Sequence, residues 1–248
     1  MLFRPYGPFP LEEISKEPYM IVDNSHVFLQ FSELGVHVQS EASQEIEIIT
    51  WDKIKKKESA IWSKLKIERH QVNELTIEIL HSDFLLIPQE YDTQLYRIGF
   101  LEKALGEDTL HGKELHEQPV HWIESNLTFL IPSEWKDFAS SLFPLAKIQY
   151  RHILGELLDE NKQTKNKNAT QLHLYLQGKF AFMSLFYQGK LQLANVFMHQ
   201  STLELAFYLH SIRDSFDVLL TRETVNIHSS GAESDATIQS LAQYNILI

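Results

Sequence analysis

The stretch Leu172 to Phe197, LHLYLQGKFAFMSLFYQGKLQLANVF, decides the fold. It holds three apolar, aromatic-rich runs of strand length, Leu172–Leu176, Phe180–Tyr187 and Leu191–Phe197, and both breaks between them read Gln-Gly-Lys. Glycine supplies the positive φ that a short hairpin needs, so the segment predicts a three-stranded antiparallel meander. Just downstream, Ser201 and then Glu204 precede an apolar ladder of Leu205, Leu209, Ile212 and Phe216. A serine cap, an acid three residues later and a single apolar stripe predict an amphipathic helix. Thr224 to His228, TVNIH, reads as a fourth strand, and a short helix is expected over Ser234 to Tyr244.

The same order of elements occurs earlier in the chain. Val27–Phe31, Val36–Gln39 and Glu45–Thr50 make a second candidate meander. A helix with the stripe Trp51, Ile54, Ile61 and Leu65 follows it, and then a strand over Leu75–Leu80. Three strands, a helix and a fourth strand thus occur twice, which reads as a duplicated β-β-β-α-β unit. Two smaller echoes lie between the copies. FLLIPQEY (Phe84 to Tyr91) and TFLIPSEW (Thr128 to Trp135) each run strand, proline, acid, aromatic, and each is expected to lead into a helix. The polar stretch Asp159 to Thr170, DENKQTKNKNAT, is expected as an exposed linker. The domain expectation is therefore a first half over residues 19–165, carrying the extra strand-helix units, and a second half over 166–248.

Composition removes several function classes. With 22 basic and 33 acidic residues the formal charge is −11, which argues against a nucleic-acid binder held mainly by phosphate contacts, since such a binder needs a basic face. The chain has no cysteine, so thiolate metal sites, disulfides and a cysteine nucleophile are excluded together. Prolines 5, 8 and 10 and the acids after them differ from the basic-then-apolar build of a secretory leader, and no apolar run is long enough to span a membrane. A cytoplasmic protein without membrane insertion is the expectation.

The segment GKLQLANVFMHQSTLELAFYLHSI (Gly189 to Ile212) carries a resemblance to a known family. Gly189 and Leu191 in the turn, Asn195 and Phe197 at the strand end, Ser201 before the helix, and Phe207 and Tyr208 within it resemble the pattern of a bacterial family, domain of unknown function 3822. The FLLIPQEY and LTFLIPSEW segments are similar to that family's plan, and the likeness covers roughly residues 27–248. The resemblance implies an α/β, duplicated ribonuclease H-like (actin-like ATPase) fold: two β-β-β-α-β halves with mixed sheets, similar to the pilus-assembly and cell-division actin homologues. It also implies a cytoplasmic protein, largely of Bacteroidetes, with no established activity.

Actin-like ATPases use an Asp-x-Gly at the first hairpin of each half, the glycine for close backbone approach to phosphate and the acid for the metal. In this chain the first hairpin reads Phe31-Ser32-Glu33-Leu34-Gly35, with an acid and a glycine at the wrong spacing. In the second half Tyr175, Leu176 and Gln177 fall where that motif would be, and the acid is lost. The expected remnant of a nucleotide cleft is Glu33, Gly35, Gln177, Gly178 and, after the last strand, Gly231.

Other constellations are weaker. GEDTLHGKE (Gly106 to Glu114) has five residues between its glycines where a P-loop has four, and Glu114 where Ser or Thr belongs. His111, His116 and His121 could serve a metal-dependent hydrolase, but HEQPVH spaces its histidines five apart around Pro119, and a solvated loop is the expectation. Ser229-Ser230-Gly231 lacks the surroundings of a nucleophile elbow. Lys53, Lys55, Lys56 and Lys57 are expected on a solvated helix face.

These observations lead to a non-catalytic protein-interaction or scaffold module, a pseudo-ATPase with no catalytic residue, resident metal or cofactor assigned. Its partner is expected to be another protein, with a second copy of the chain as one candidate. The alternative is an ATP-binding switch with weak or no hydrolysis, and the metal-dependent hydrolase comes third.

Overall fold

A computed structural model describes residues 26–39, 46–55, 72–162, 170–221, 224–229, 236–237, 239–241 and 244. They fall into two compact units, one within Lys16–Gly155 and one within Glu156–Ile248.

The first unit begins with β1 (His26–Ser32), β2 (Gly35–Gln39), β3 (Ile46–Thr50) and α1 (Trp51–Lys55), and continues to β4 (Glu74–Leu80). Its main sheet has five strands in the order β3-β2-β1-β4-β8, where β8 is Lys147–His152. The first three strands pair antiparallel, while β1 with β4 and β4 with β8 pair parallel. Alternation sets the core: Val27, Leu29 and Phe31 lie opposite Leu75, Ile77 and Ile79, all buried on one face. Phe31 meets Trp51 edge-on at 5.6 Å and Trp135 at 6.2 Å, and the two indoles stack at 5.3 Å.

The other face of this sheet is also buried yet polar, with Gln30, Ser32, His37, Thr76 and Glu78. Buried polar groups need partners. Gln30 donates to the Glu78 carboxylate, and Ser32 Oγ lies 2.8 Å from His37 Nε2. Burial pushes the His37 imidazole down to about 4, so the ring is neutral.

Between β4 and β8 the chain builds a small antiparallel sheet of β5 (Phe84–Pro88), β6 (Lys113–Val120) and β7 (Ser125–Pro132), ordered β5-β7-β6. A twelve-residue helix, α2 (Gln94–Leu105), joins β5 to β6, and α3 (Ser133–Leu142) follows β7. Both proline-containing echoes are therefore strand-to-helix units as expected. HEQPVH is not a loop: it forms most of β6, an edge strand, where Pro119 costs no interior ladder bond. Strand β8, KIQYRH, alternates polar and apolar residues, a period-2 signal that the sequence reading did not use.

The helix α4 (Ile153–Lys162) carries the chain into the second unit. The expected linker is thus shortened, because Asp159–Lys162 are the last turn of α4 and residues 163–169 lie outside the described set. The apolar spacing of Ile153, Leu154, Leu157 and Leu158, all buried, explains why helix persists into so polar a stretch.

The second unit holds β9 (Gln171–Gln177), β10 (Phe180–Tyr187), β11 (Lys190–Met198), α5 (Thr202–Phe216) and β12 (Val225–Ser229). Its sheet runs β11-β10-β9-β12, with two antiparallel hairpins and β12 parallel to β9. The second hairpin turns through Gln188 at φ 51° and Gly189 at φ 73°, the two positive values a type I′ turn requires. Leu172, Leu174 and Leu176 with Ala181, Met183 and Leu185 pack against Leu205, Ala206, Leu209 and Ile212 of α5. Ser201 caps α5 by accepting from the Glu204 amide. Both sheets share one order and one set of directions for their first four strands. Of the helix expected over Ser234 to Tyr244, residues 236–237 and 239–241 are helical, and the intervening positions lie outside the described residues.

Candidate functional site

In open α/β sheets, ligands collect at the carboxyl ends of the parallel strands. In the first unit those ends are Ser32–Glu33 after β1, His81 after β4 and His152 closing β8. Glu33 is exposed in the hairpin turn, with its Oε1 3.9 Å from His81 Nε2. The Asp83 amide donates to His81 Nδ1 at 3.1 Å, and Lys113 pairs with the Asp83 carboxylate. The Leu154 amide donates to His152 Nδ1, so it is His152 Nε2 that donates to the His81 carbonyl at 2.9 Å. Burial pushes His152 down to about 4. His81 is lowered chiefly by burial, Asp83 and Glu33 opposing the shift and Lys113 adding to it.

This cluster is satisfied from within. The Leu34 amide, which a phosphate would need, is turned to Ser32 Oγ at 3.2 Å. Gly35 stands where it does for the sheet, since a Cβ there would lie 2.1 Å from the Ile49 carbonyl oxygen on β3. In the second unit Gln177 is buried at the end of β9, and Gly178, at φ 52°, makes the turn into β10. Gly231 lies outside the described residues, as do Ser230 and Lys56 and Lys57 of the basic run. Lys53 and Lys55 are exposed on α1, where Lys55 pairs with Glu134 at 3.0 Å.

The three histidines of the middle segment do not converge. His111 precedes β6 and His121 follows it, so the eight-residue strand separates them by roughly 25 Å or more. His116 sits mid-strand with its ring on Phe129 and Tyr150. The hydrolase expectation built on them lacks a common site.

A different trio does converge. Glu160 on the last turn of α4 places Oε2 3.0 Å from His173 Nδ1 on β9 and 3.2 Å from His228 Nε2 on β12. His173 pairs in register with Asn226 and His228 with Tyr175, so both rings rise from neighbouring strands on the face opposite α5. Both histidines are buried and Glu160 is about one-third exposed. Burial works to raise the Glu160 carboxyl, but the hydrogen bond from His173 and the approach of His228 overcome it and hold the group at about 2. Sequence reading missed this trio because three separate elements supply it and Glu160 fell in the expected linker. The available signal was a histidine among apolar neighbours in each of two strands, between leucines in Leu172-His173-Leu174 and after isoleucine in Ile227-His228.

An apolar groove of about 350 Å³ runs between β5 and α2, lined by Leu85, Ile87, Pro88, Tyr91, Phe100 and Ala104 among others. Only Leu101 of α2 is buried, while Leu95, Tyr96 and Phe100 are exposed.

A family model described as "Protein of unknown function (DUF3822)" matches residues 29–246. The chain belongs to that family. Among solved structures, a Bacteroides thetaiotaomicron protein with an actin-like ATPase fold and unknown function is similar over 90% of this chain and 89% of its own, with a TM-score of 0.66 and 13% identity. The PilM-PilN type IV pilus biogenesis complex contains a chain similar over 88% of this one and 85% of its own, at a TM-score of 0.54 and 8% identity. No curated protein sequence matches. This DUF3822 member therefore has the mixed α/β architecture of the actin-like ATPase fold. Among the described residues, no helix is long and apolar enough to cross a membrane.

Proposed function

We propose that this DUF3822 member is a non-catalytic interaction module, a pseudo-ATPase built on two ribonuclease H-like halves over residues 19–165 and 166–248. The shared order of the two sheets supports the duplication. The expected nucleotide remnants support the loss of turnover: Glu33 has no Asp-x-Gly around it, the Leu34 amide is already bound, and Gly35 answers to β3. The partner is an apolar segment of another cytoplasmic protein, taken at the α2 face. The single observation carrying this reading is the exposed row Leu95, Tyr96 and Phe100 beside the β5–α2 groove, because a lone surface helix seldom shows so much apolar area without a use. The solved PilM-PilN complex, in which a protein of this fold is assembled with another protein, supports the choice of a protein partner.

The test pairs two measurements on the full chain. Thermal unfolding with and without millimolar Mg-ATP or Mg-ADP is expected to show no shift; a rise of several degrees favours the nucleotide switch instead. Cross-linking in cells is expected to capture a partner that the double variant Leu95→Ser, Phe100→Ser loses. Capture unchanged by the double variant removes the α2 face from the reading, and capture of a second copy alone identifies a homodimer.

A further inference from the structure

We propose that Glu160, His173 and His228 bind one divalent transition-metal ion. Two imidazoles and a carboxylate make a ligand set suited to Zn²⁺, Fe²⁺, Co²⁺ or Mn²⁺, and one that needs no cysteine. Two of the three ligand spacings already match a coordination sphere. The three ligand atoms lie within 4.8 Å of one another, with the two contacts to Glu160 Oε2 at 3.0 and 3.2 Å. Donors at ~2.1 Å from an ion, at tetrahedral to octahedral angles, stand about 2.9–3.4 Å apart. An ion would therefore enter with little rearrangement of the backbone that holds its ligands.

Two further observations separate this cluster from an ordinary ion pair. His228 Nε2 lies 3.2 Å from Glu160 Oε2 yet, buried, has no well-aligned hydrogen-bond partner among the described residues. His173 Nε2 is buried with no hydrogen-bond partner among the described residues. Without an ion, His173 Nδ1–H donates to Glu160; an ion that takes the place of that proton binds the Nδ1 lone pair and leaves the ring's single proton on Nε2, which no other described group claims. The partial exposure of Glu160 gives the ion a way in and leaves room for a solvent ligand. Because the ligands come from α4, β9 and β12, a bound ion fastens the end of α4 to the sheet within the second unit. The proposal is independent of the interaction reading above.

The experiment uses the full chain stripped with EDTA and titrated with Zn²⁺ by calorimetry and with Co²⁺ by visible absorption. The expected result is one tight site per chain, a Zn²⁺-dependent rise in melting temperature, and cobalt bands typical of a low-symmetry nitrogen and oxygen site. Glu160→Gln and His228→Gln are expected to weaken binding by about tenfold or more and to abolish the rise. The double variant His111→Gln, His121→Gln, which alters two histidines outside the trio, is expected to bind as the unaltered chain does. Circular dichroism of Glu160→Gln, a change at a helix end, guards against loss of fold as the cause. No uptake of Zn²⁺ or Co²⁺ by the unaltered chain overturns the proposal. So does uptake that the Glu160 and His228 variants retain in full.

Discussion

A Cβ on Gly35 would lie 2.1 Å from the carbonyl oxygen of Ile49, a contact that real side chains do not make. The obstacle is backbone in the adjacent strand of the same sheet, and Gly35 sits at φ +149°, where side chains are rarely accommodated. Gly35→Ala is expected to cost about 3 kcal/mol, through overpacking and backbone strain together. Urea denaturation measures it. Glu33→Ala, two residues away and exposed, is expected to stay within about 0.5 kcal/mol of the unaltered protein.

Acid is expected to destabilise the first unit well before its carboxylates titrate. His37 and His152 are both pushed down to about 4 by burial, against an ordinary 6.5. Between those values the unfolded chain binds protons that the folded one refuses, so stability rises with pH there. The contribution is fully present above 6.5 and is lost progressively as pH falls toward 4. Each ring adds up to about 1.4 kcal/mol per pH unit to the slope. Urea midpoints from pH 7 to pH 5 measure that slope, and His37→Gln should flatten it. An unchanged slope in both His37→Gln and His152→Gln would show that these rings are not its source.

One helix supplies both a core residue and the proposed docking face, and the two should respond oppositely to substitution. Leu101 is fully buried, whereas Leu95 is 78% exposed. Leu101→Ala is expected to cost about 3 kcal/mol by opening a cavity, while Leu95→Ser should change stability by no more than about 0.5 kcal/mol. Paired chemical denaturation curves decide it. A large loss on altering Leu95 would mean that its surface is already covered within the protein.

The start of α5 depends on a local cap. Ser201 Oγ accepts from the Glu204 amide at 3.3 Å, and the Glu204 carboxylate accepts from the Gln200 amide at 2.8 Å. Ser201→Ala should therefore cost about 1 kcal/mol, with Ser201→Asp largely restoring it. Thermal melts of the two variants test the pair.

What the sequence alone determined was the set of elements whose signal is local. The apolar, aromatic-rich runs of β9 and β10, glycine at the two Gln-Gly-Lys turns, the Ser201 cap and the leucine ladder of α5 each act over a few residues, so a single chain displays them directly. The strand order that the two sheets share and the likeness to the family followed from those. Tertiary structure decided the rest. Strand β8 alternates over only six residues, too short a signal to place alone, and its position at the edge of the sheet is set by parallel pairing with β4, a partner more than sixty residues earlier. HEQPVH became a strand because β7 offered it an edge, against the breaking tendency of its proline. Glu160 joined His173 and His228 only when α4 ran past its last apolar residue and β12 paired beside β9. Such a site has no spacing in the sequence, because the distance between its members is set by strand register and helix length rather than by the chain that connects them.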